Sequence, residues 1–358
     1  MSLLDKIKKN CTIKDSALLE KSKVFNNRDT ISTSIPVLNI AFSGRIDGGF
    51  SSGITTWAGV SKMFKTGFSL LMAKSYMDKY PDSYLIFYDS EFGSPINYFN
   101  NFSLDLTRIF HIPLTDIEQL KFDLMQQLDG FERDDKVIII IDSIGNLASR
   151  KEIDDAMDGK SVADMSRAKQ IKSLFRMITP HLVIKDIPLI VINHVYKEIG
   201  LYPKDIIGGG TGSVYSSDNI YILGRQQEKD EKELSGYNFI INVEKSRFVK
   251  EKSKIPISIS FEHGALKYSG LLDIALELGW VIKPVQGWYS KVNKTTGEIE
   301  DKKYRAKDTN TKEFWDSILN SEEFKNDIYN RYSISSHAII SDEEIEKEFS
   351  TESESAND

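Results

Sequence analysis

The stretch that most constrains this chain is residues 54–77, where a strand, a glycine turn and a helix are predicted to follow one another. Residues 54–58 are apolar and have the length of a buried strand. Apolar residues then recur at helical spacing and give the next segment one apolar face: Phe68, Leu71, Met72 and Tyr76. A turn between a strand and a helix is a common phosphate-binding position, because the N–H groups at the start of the helix point at the ligand.

The turn has the composition of a phosphate-binding loop, with one departure. It comprises Gly59, Val60, Ser61, Lys62, Met63, Phe64, Lys65 and Thr66, and Gly67 follows. Backbone N–H groups would surround the phosphates, Lys65 would reach the β- and γ-phosphates, and Thr66 would bind Mg²⁺. Phe64 stands where the motif ordinarily has its second glycine. From the loop alone, a surface turn with a solvated lysine is an equal alternative.

Two further buried strands end in acidic residues. Residues 84–88 run into Asp89, Ser90 and Glu91, and the β-branched run 137–141 runs into Asp142. Open α/β sheets bind ligands at the carboxyl ends of their strands. A carboxylate in this position after a phosphate loop holds Mg²⁺ through its water shell. The alternative for Asp142 is a turn residue or a helix cap.

The order of the elements predicts a doubly wound α/β core with a parallel sheet. A fourth strand, residues 189–192, leads into Asn193 and His194. Helices are predicted after capping-box pairs at Thr115/Glu118 and Ser161/Asp164. Residues 195–213 are expected to form a loop. Three later strands lack crossover helices, which predicts an antiparallel extension of the sheet: residues 220–223, 239–243 and 255–261.

Composition predicts four regions along the chain. Residues 1–30 form a lysine-rich helical appendage that either mediates oligomerisation or packs on the core; residues 31–268 form the core, and residues 269–340 a small α+β unit. Residues 341–358 carry eight acids and one lysine, which accounts for the whole net charge of −7. This acidic tail is poor in apolar residues, so we expect it to be disordered. The body is neutral overall and can still carry basic patches.

Other compositional features exclude several protein classes. No apolar run approaches the ~18 residues that span a membrane, and no apolar signal core follows the first lysines. We therefore expect a cytoplasmic protein with no membrane partner. Cys11 is the only cysteine, so an intrachain disulfide is impossible and a thiolate metal site is not expected.

Together these segments resemble the RecA family of recombinases in order and spacing, and in particular its bacteriophage members. The resemblance covers roughly residues 35–315, and the strings that carry it are residues 59–66, 87–93, 141–149, 172–176, 192–194, 208–212 and 243–247. It implies a RecA-like P-loop ATPase core, a mostly parallel twisted sheet flanked by helices. A phosphate loop without its second glycine also resembles the phage members.

The resemblance also implies an activity. It implies a DNA-dependent ATPase that uses ATP and Mg²⁺, self-associates into helical filaments on single-stranded DNA, and exchanges strands with double-stranded DNA in recombination, replication and repair. In a phage-infected cell it would work in the host cytoplasm with phage single-strand-binding and mediator proteins.

The resemblance assigns roles to individual residues. Glu91 matches the general base, and His194 stands where RecA has a glutamine that senses the γ-phosphate. Tyr98 matches the aromatic residue that stacks on adenine, with ordinary core packing as the alternative. Lys245 and Arg247 match residues that reach across the filament interface.

Two DNA-binding loops are implied, at about residues 150–160 and 195–209. The basic residues and glycines in or beside them are Arg150, Lys151, Lys160, Arg167, Lys169, Lys172, Lys197, Lys204, Gly208, Gly209 and Gly210. For any one of these cations, solvated surface charge is the alternative.

Two other functions are weighed against the recombinase. A mediator paralogue would bind ATP without strand exchange, but it would not need Glu91 and Asp142 together. A RecA-fold helicase-type ATPase would form rings. The pair Lys245 and Arg247, together with the glycine-rich segment, fits a recombinase better.

Overall fold

The computed structural model describes residues 1–14, 16–26, 29–160, 166–198, 205–230, 233–260, 262 and 264–334. Its strands are β1 Gly53–Ala58, β2 Tyr84–Asp89, β3 Ile109–Pro113, β4 Val137–Asp142, β5 Pro188–Asn193, β6 Val195–Lys197, β7 Asp205–Ile207, β8 Asn219–Asp230, β9 Glu233–Lys245, β10 Lys254–Ser260, β11 Gly264–Ala265, β12 Val281–Val285 and β13 Trp288–Lys291. Its α-helices are α1 Leu3–Asn10, α2 Lys23–Asn26, α3 Pro36–Ser43, α4 Lys65–Lys79, α5 Ile96–Asn101, α6 Ile117–Gly130, α7 Arg150–Met157, α8 Ser166–Ile184, α9 Thr211–Ser216, α10 Leu271–Glu277, α11 Lys312–Leu319 and α12 Glu322–Tyr332.

The described residues form one large sheet with the strand order β11-β10-β9-β8-β1-β5-β4-β2-β3. Strands β8, β1, β5, β4, β2 and β3 are mutually parallel. Strands β8 to β11 pair in antiparallel fashion. This confirms the predicted mostly parallel α/β sheet and its antiparallel extension.

Helices cover both faces of the sheet, which explains why β4 is a continuous β-branched run. Ile138 and Ile140 pack into the core on the face that carries α4, whereas Ile139 and Ile141 pack on the face that carries α6 and α8. Each of these four side chains is almost completely buried. A central strand buried on both faces needs apolar residues at consecutive positions rather than at alternate ones.

Several local predictions differ from the structure. Residues 150–160 are mainly the helix α7, capped by Ser149, and not a loop. Residues 195–213 include the β6–β7 hairpin and the start of α9. The cap of α6 is Asp116 and not Thr115. Asp116 accepts the backbone N–H of Gln119 at 2.8 Å, whereas the Thr115 hydroxyl accepts a hydrogen bond from the side-chain amide of Gln119. The predicted Ser161/Asp164 cap lies outside the described residues.

Beyond the sheet, α10 to α12 and the β12–β13 hairpin form a small unit around Trp280, Phe314 and Phe324, which are all buried. The end of α12 is attached to the core, since the Ser333 hydroxyl donates to the Gly44 carbonyl at 3.1 Å and Ser333 bridges Val249. The boundaries of the four regions remain predictions, and the acidic tail lies outside the described residues. Within the described ranges, no helix has the length and apolarity needed to cross a membrane.

Candidate functional site

The parallel register brings the predicted strand ends to one edge of the sheet. Ala58 at the end of β1 pairs with Asn193 at the end of β5, and Asp89 at the end of β2 pairs with Asp142 at the end of β4. Four segments that are far apart in sequence therefore meet beside the glycine turn. This edge is where an open α/β sheet binds its ligand.

Lys65 lies at the first position of α4, and its side chain folds back over the turn. Its Nζ donates to the carbonyls of Gly59 at 3.1 Å and Val60 at 2.9 Å. The residue is only 6% exposed, and burial lowers the pKa of its amine, while the charges of Glu91 and Asp142 oppose that shift. The amine is thus held at the loop, at the place where phosphate oxygens would accept its protons.

Phe64 precedes α4 with a left-handed backbone, φ 58°. This conformation costs a residue with a Cβ about 1 kcal/mol or more, which is why the motif ordinarily has glycine there. The Phe64 ring packs against Phe68 at 5.2 Å and Phe239 at 6.1 Å between centroids. Among the described side chains none caps the start of α4, so its first N–H groups are available to an anion.

Thr66 and Asp142 form the candidate metal position. The Thr66 hydroxyl donates to Asp142 Oδ2 at 2.7 Å, and Asp142 is 3% exposed. Burial raises the pKa of Asp142 to about 6; the Thr66 hydrogen bond opposes this shift and the charge of Glu91 adds to it. The other oxygen, Oδ1, is buried and finds no hydrogen-bond partner among the described residues. A hydroxyl and an unsatisfied carboxylate are ligands that suit Mg²⁺.

Glu91 has two hydrogen-bond donors at its Oε1 atom. His194 Nε2 lies 2.7 Å away and the Ser143 hydroxyl 2.5 Å away. The bond from His194, and then that from Ser143, lowers the pKa of Glu91 against the opposing effect of burial. Glu91 is therefore ionised, as a group that orients water or accepts a proton must be.

His194 connects Glu91 to the glycine-rich segment. Asn193 accepts the His194 backbone N–H at 2.8 Å and donates to the carbonyl of Gly208 at 2.9 Å. The N–H of Gly208 in turn donates to the His194 carbonyl at 2.9 Å. A continuous set of hydrogen bonds therefore runs from the Glu91 carboxylate to the residues that follow β7.

Tyr98 lies on α5, partly buried, with its ring 5.4 Å from that of Phe102. Burial, and then the charge of Asp142, raises the pKa of Tyr98 to about 12. Tyr98 lines a cleft of about 740 Å³ beside the phosphate loop. The aromatic residues of this cleft are Phe64, Tyr98, Phe102, Tyr237 and Phe239.

Lys245 and Arg247 are not brought to the phosphate loop of their own chain. The Arg247 guanidinium pairs with Asp218 at 2.5 Å, and Asp218 accepts the N–H of Ile54 at the start of β1. Lys245 donates to carbonyls at the end of α9, and burial lowers the pKa of its amine. Arg247 therefore lies toward the amino end of β1, whereas the loop follows the carboxyl end of that strand.

The cations of the implied DNA segments have acidic neighbours. Four pairs occur: Arg150 with Asp116 at 3.6 Å, Lys151 with Asp155, Lys160 with Asp158 at 2.7 Å, and Lys197 with Asp205 at 3.0 Å. The four basic side chains are more than half exposed. Surface pairs of this kind contribute little to stability, so the cations can exchange their partners for phosphate.

Arg167 differs from the other candidate DNA residues. It donates to the carbonyls of Leu147 and Gly145, each at 2.6 Å, and so secures the segment after β4. Lys169 and Lys172 on the same helix are exposed. Gly209 and Gly210 have left-handed φ angles of 81° and 78°. Lys204 lies outside the described residues.

Two residues of the site had no role assigned from the sequence. Ser143 donates to Glu91, and Asn193 holds His194. The signal was present, since each polar residue comes at or directly after the end of a buried strand. Their particular partners depend on how the strands are ordered in the sheet.

A glycine turn, a buried lysine and two carboxylates lie together at the carboxyl ends of parallel strands. This arrangement defines the phosphate-loop class of α/β proteins. The RecA N-terminal domain family model matches residues 2–266. The model of the C-terminal domain of the bacteriophage T4 recombination and repair protein matches residues 268–328. The chain belongs to the RecA family.

Individual relatives agree with this assignment. The chain is 48% identical to the recombination and repair protein of Enterobacteria phage T4 over 350 residues, which cover 97% of this chain and 89% of that protein. It is 29% identical to the RecA protein of Bacteroides thetaiotaomicron over 46% of this chain and 50% of that protein. For the RecA protein of Arthrospira platensis the identity is 24%, over 76% of this chain and 73% of that protein. The predicted recombinase assignment is thereby confirmed at the level of the family.

Proposed function

We propose that this protein is an ATP-dependent strand-exchange recombinase, a DNA-dependent ATPase that forms filaments on single-stranded DNA and pairs that strand with duplex DNA. The observation that carries the proposal is the convergence of Lys65, Thr66, Asp142 and Glu91 at one sheet edge. Phosphoryl transfer to water needs these groups: a cation at the phosphates, metal ligands, and a carboxylate for the nucleophile.

In this proposal the chain's own residues bind and orient the nucleotide. Lys65 exchanges the carbonyls of Gly59 and Val60 for the β- and γ-phosphates. Thr66 and Asp142 would hold Mg²⁺, which would supply positive charge to offset the negative charge of the phosphates. The ionised Glu91 orients the attacking water and accepts its proton.

His194 provides a physical link between nucleotide and DNA. Its Nε2 proton can be donated either to Glu91 or to a γ-phosphate, because both acceptors are anionic. A change of acceptor would shift His194, and with it the hydrogen bonds through Asn193 to Gly208. The segment 195–209 would thus sense whether ATP is bound, and DNA at that segment would act on Glu91 by the same route.

Self-association is supported by features at two other places. Lys245 and Arg247 lie away from the loop of their own chain, so a neighbouring subunit is the one whose site they complete. On α1, Leu3 is 75% and Ile7 58% exposed, and none of the residues of that helix is buried. An apolar helix face of this kind favours contact with a second copy.

DNA contact is supported by charge and by local backbone conformation. Lys169 and Lys172 on α8 and Lys197 on β6 are exposed cations, and the left-handed glycines Gly209 and Gly210 pack on α8 near Ile171 and Ala168. Lysines supply counterion release, and glycines let a backbone approach the DNA closely. Single-strand-binding and mediator proteins, and the cytoplasm of an infected host, complete the proposed setting.

One experiment separates this function from its alternatives: ATP hydrolysis is measured with and without single-stranded DNA, and the same mixtures are imaged by negative stain. We expect helical filaments and hydrolysis that DNA stimulates. Rings, or hydrolysis independent of DNA, would instead identify a helicase-type ATPase. Nucleotide binding without hydrolysis or strand exchange would identify a mediator.

A further inference from the structure

We propose that Phe64 positions Tyr98 and thereby sets how strongly the site prefers a nucleotide with a base over bare phosphates. The inference rests on the proposed function, because it concerns the same nucleotide site. It assigns a specificity role to the residue by which this phosphate loop departs from its usual pattern.

The Phe64 ring is fixed in place by its neighbours. It meets Phe68 edge to face at 5.2 Å and stacks near Phe239 at 6.1 Å. It also lies over Gly67, where an added Cβ would come within 2.5 Å of the ring. Contacts on three sides restrain the ring to one orientation. The ring therefore also restrains the residues that it touches.

One of those contacts leads to Tyr98. The rings of Phe64 and Phe102 are 6.2 Å apart, and Phe102 meets Tyr98 at 5.4 Å with an interplanar angle of 90°. Aromatic pairs at these separations stabilise one another beyond simple burial. Because α5 is a helix of six residues with Phe99 as its one buried side chain, the Phe102 contact is a large part of what orients Tyr98.

The opposite wall of the cleft is tied to the same loop. Arg225 on β8 donates to the carbonyl of Lys62 at 2.9 Å, and its guanidinium lies 4.5 Å from the centroid of the Tyr237 ring. Tyr237 in turn contacts Phe239, which contacts Phe64. Both aromatic walls of the cleft are therefore packed on the phosphate loop, and Phe64 is the residue that contacts each of them.

Phe64→Gly removes the ring but suits the left-handed backbone, so the loop can keep its shape while Tyr98 loses its support. The test compares ATP with inorganic tripolyphosphate, which presents phosphates without a base. Binding of each is measured with Mg²⁺ on the full chain, and the ratio of the two affinities is the quantity of interest. Phe122→Ala is the matched control, since Phe122 is an aromatic residue 71% exposed on α6.

We expect the ratio to fall roughly tenfold in Phe64→Gly, the order of the loss when one base–aromatic stack is removed. Phe64→Leu keeps part of the packing and should give an intermediate ratio, and the control should keep the wild-type ratio. Tyr98→Ala should lower the ratio as much as Phe64→Gly, and the double variant should lower it no further.

A wild-type ratio in Phe64→Gly would overturn the inference, as would an equal loss of affinity for both ligands, which would mean that Phe64 only shapes the loop. Additive losses in the double variant would also overturn it, since Phe64 and Tyr98 would then act independently. If the wild-type chain binds neither ATP nor tripolyphosphate, the proposed function itself fails.

Discussion

At Lys65, the folded chain holds a lysine amine against the carbonyls of Gly59 and Val60. Replacing this residue, Lys65→Ala, should lower kcat for ATP hydrolysis by roughly 100- to 1000-fold, because the cation stabilises charge that develops on the transferring group. The fold should persist, since α4 is also held by buried apolar side chains such as Phe68, Leu70 and Met72. Steady-state hydrolysis with single-stranded DNA measures the effect.

The control for that experiment is Lys79→Ala. Lys79 lies at the end of the same helix, outside the cleft, and pairs with Asp29 at the surface. It should hydrolyse ATP like the wild-type protein. Turnover near the wild-type value in Lys65→Ala would end the assignment of residues 59–66 as a phosphate loop.

Asp142 is a buried carboxyl whose pKa is raised to about 6, so it links stability to pH. The unfolded chain releases this proton near pH 4, whereas the folded chain keeps it until about pH 6. The contribution of protonated Asp142 to the free energy of unfolding is therefore complete below pH 4 and is lost as the pH rises to 6. Asp142→Asn should raise the free energy of unfolding by about 3 kcal/mol at pH 8 and by little at pH 4.

Urea unfolding at the two pH values measures this difference, with the exposed Asp82→Asn as control. The more stable Asp142→Asn variant should also hydrolyse ATP far more slowly, because it loses a metal ligand. A stability gain that is the same at pH 4 and pH 8 would contradict the pKa argument.

At the scale of elements, the sequence predicts those whose burial is simplest. The run that forms β4 is apolar at consecutive positions because both of its faces are covered, so its pattern and its final acid were recognisable. Strand β3 was missed because it is a short edge strand in which Phe110 and His111 are exposed. Its alternation is too weak to separate from a loop.

The functional segments are harder to predict for a related reason. Arg150 was assigned to a loop, yet Ser149 caps a helix there and α7 begins at Arg150. Likewise the role of Asn193 depends on Gly208, which returns to it only through the β6–β7 hairpin. The spacing of the motifs identified the residues at the strand ends. The contacts between those residues depend on the order of the strands in the sheet, which the spacing does not reveal.

The position of β9 yields a prediction about neighbouring subunits. Lys245→Ala should lose DNA-stimulated hydrolysis if, as proposed, Lys245 completes the nucleotide site of the next subunit. Glu91→Gln should be inactive for a different reason, the loss of the base. In an equal mixture of the two, about one quarter of randomly formed interfaces combine an intact Glu91 with an intact Lys245, so activity should return.

Hydrolysis measured across mixing ratios tests this, with each variant alone as the control. Recovery should be greatest near equal proportions. If no ratio restores activity, Lys245 acts within its own chain or not at all.

At the scale of the whole molecule, the charge distribution separates a neutral body from an acidic tail. We expect the tail to compete with DNA for basic surface, because both carry negative charge that the same cations can bind. Removing the residues after Ile340 should therefore tighten duplex binding several-fold at low salt. The advantage should shrink as salt rises and screens the tail.

Duplex binding over a salt series measures this effect. A full-length variant whose tail acids are replaced by the corresponding amides serves as the control for chain length, and it should behave like the truncation. Equal duplex affinities of truncated and full-length protein at low ionic strength would reject the idea of a competing tail.

The phosphate loop lies at the carboxyl end of β1 and Arg247 lies near its amino end. These opposite positions give each subunit a direction. Subunits joined head to tail form an open row rather than a closed pair. In such a row every subunit but one meets a neighbour's cations, so n subunits hold n − 1 completed sites and an isolated subunit holds none. Turnover per subunit must then climb with length, and a chain lacking Lys245 and Arg247 would leave unfinished only the one site that it faces.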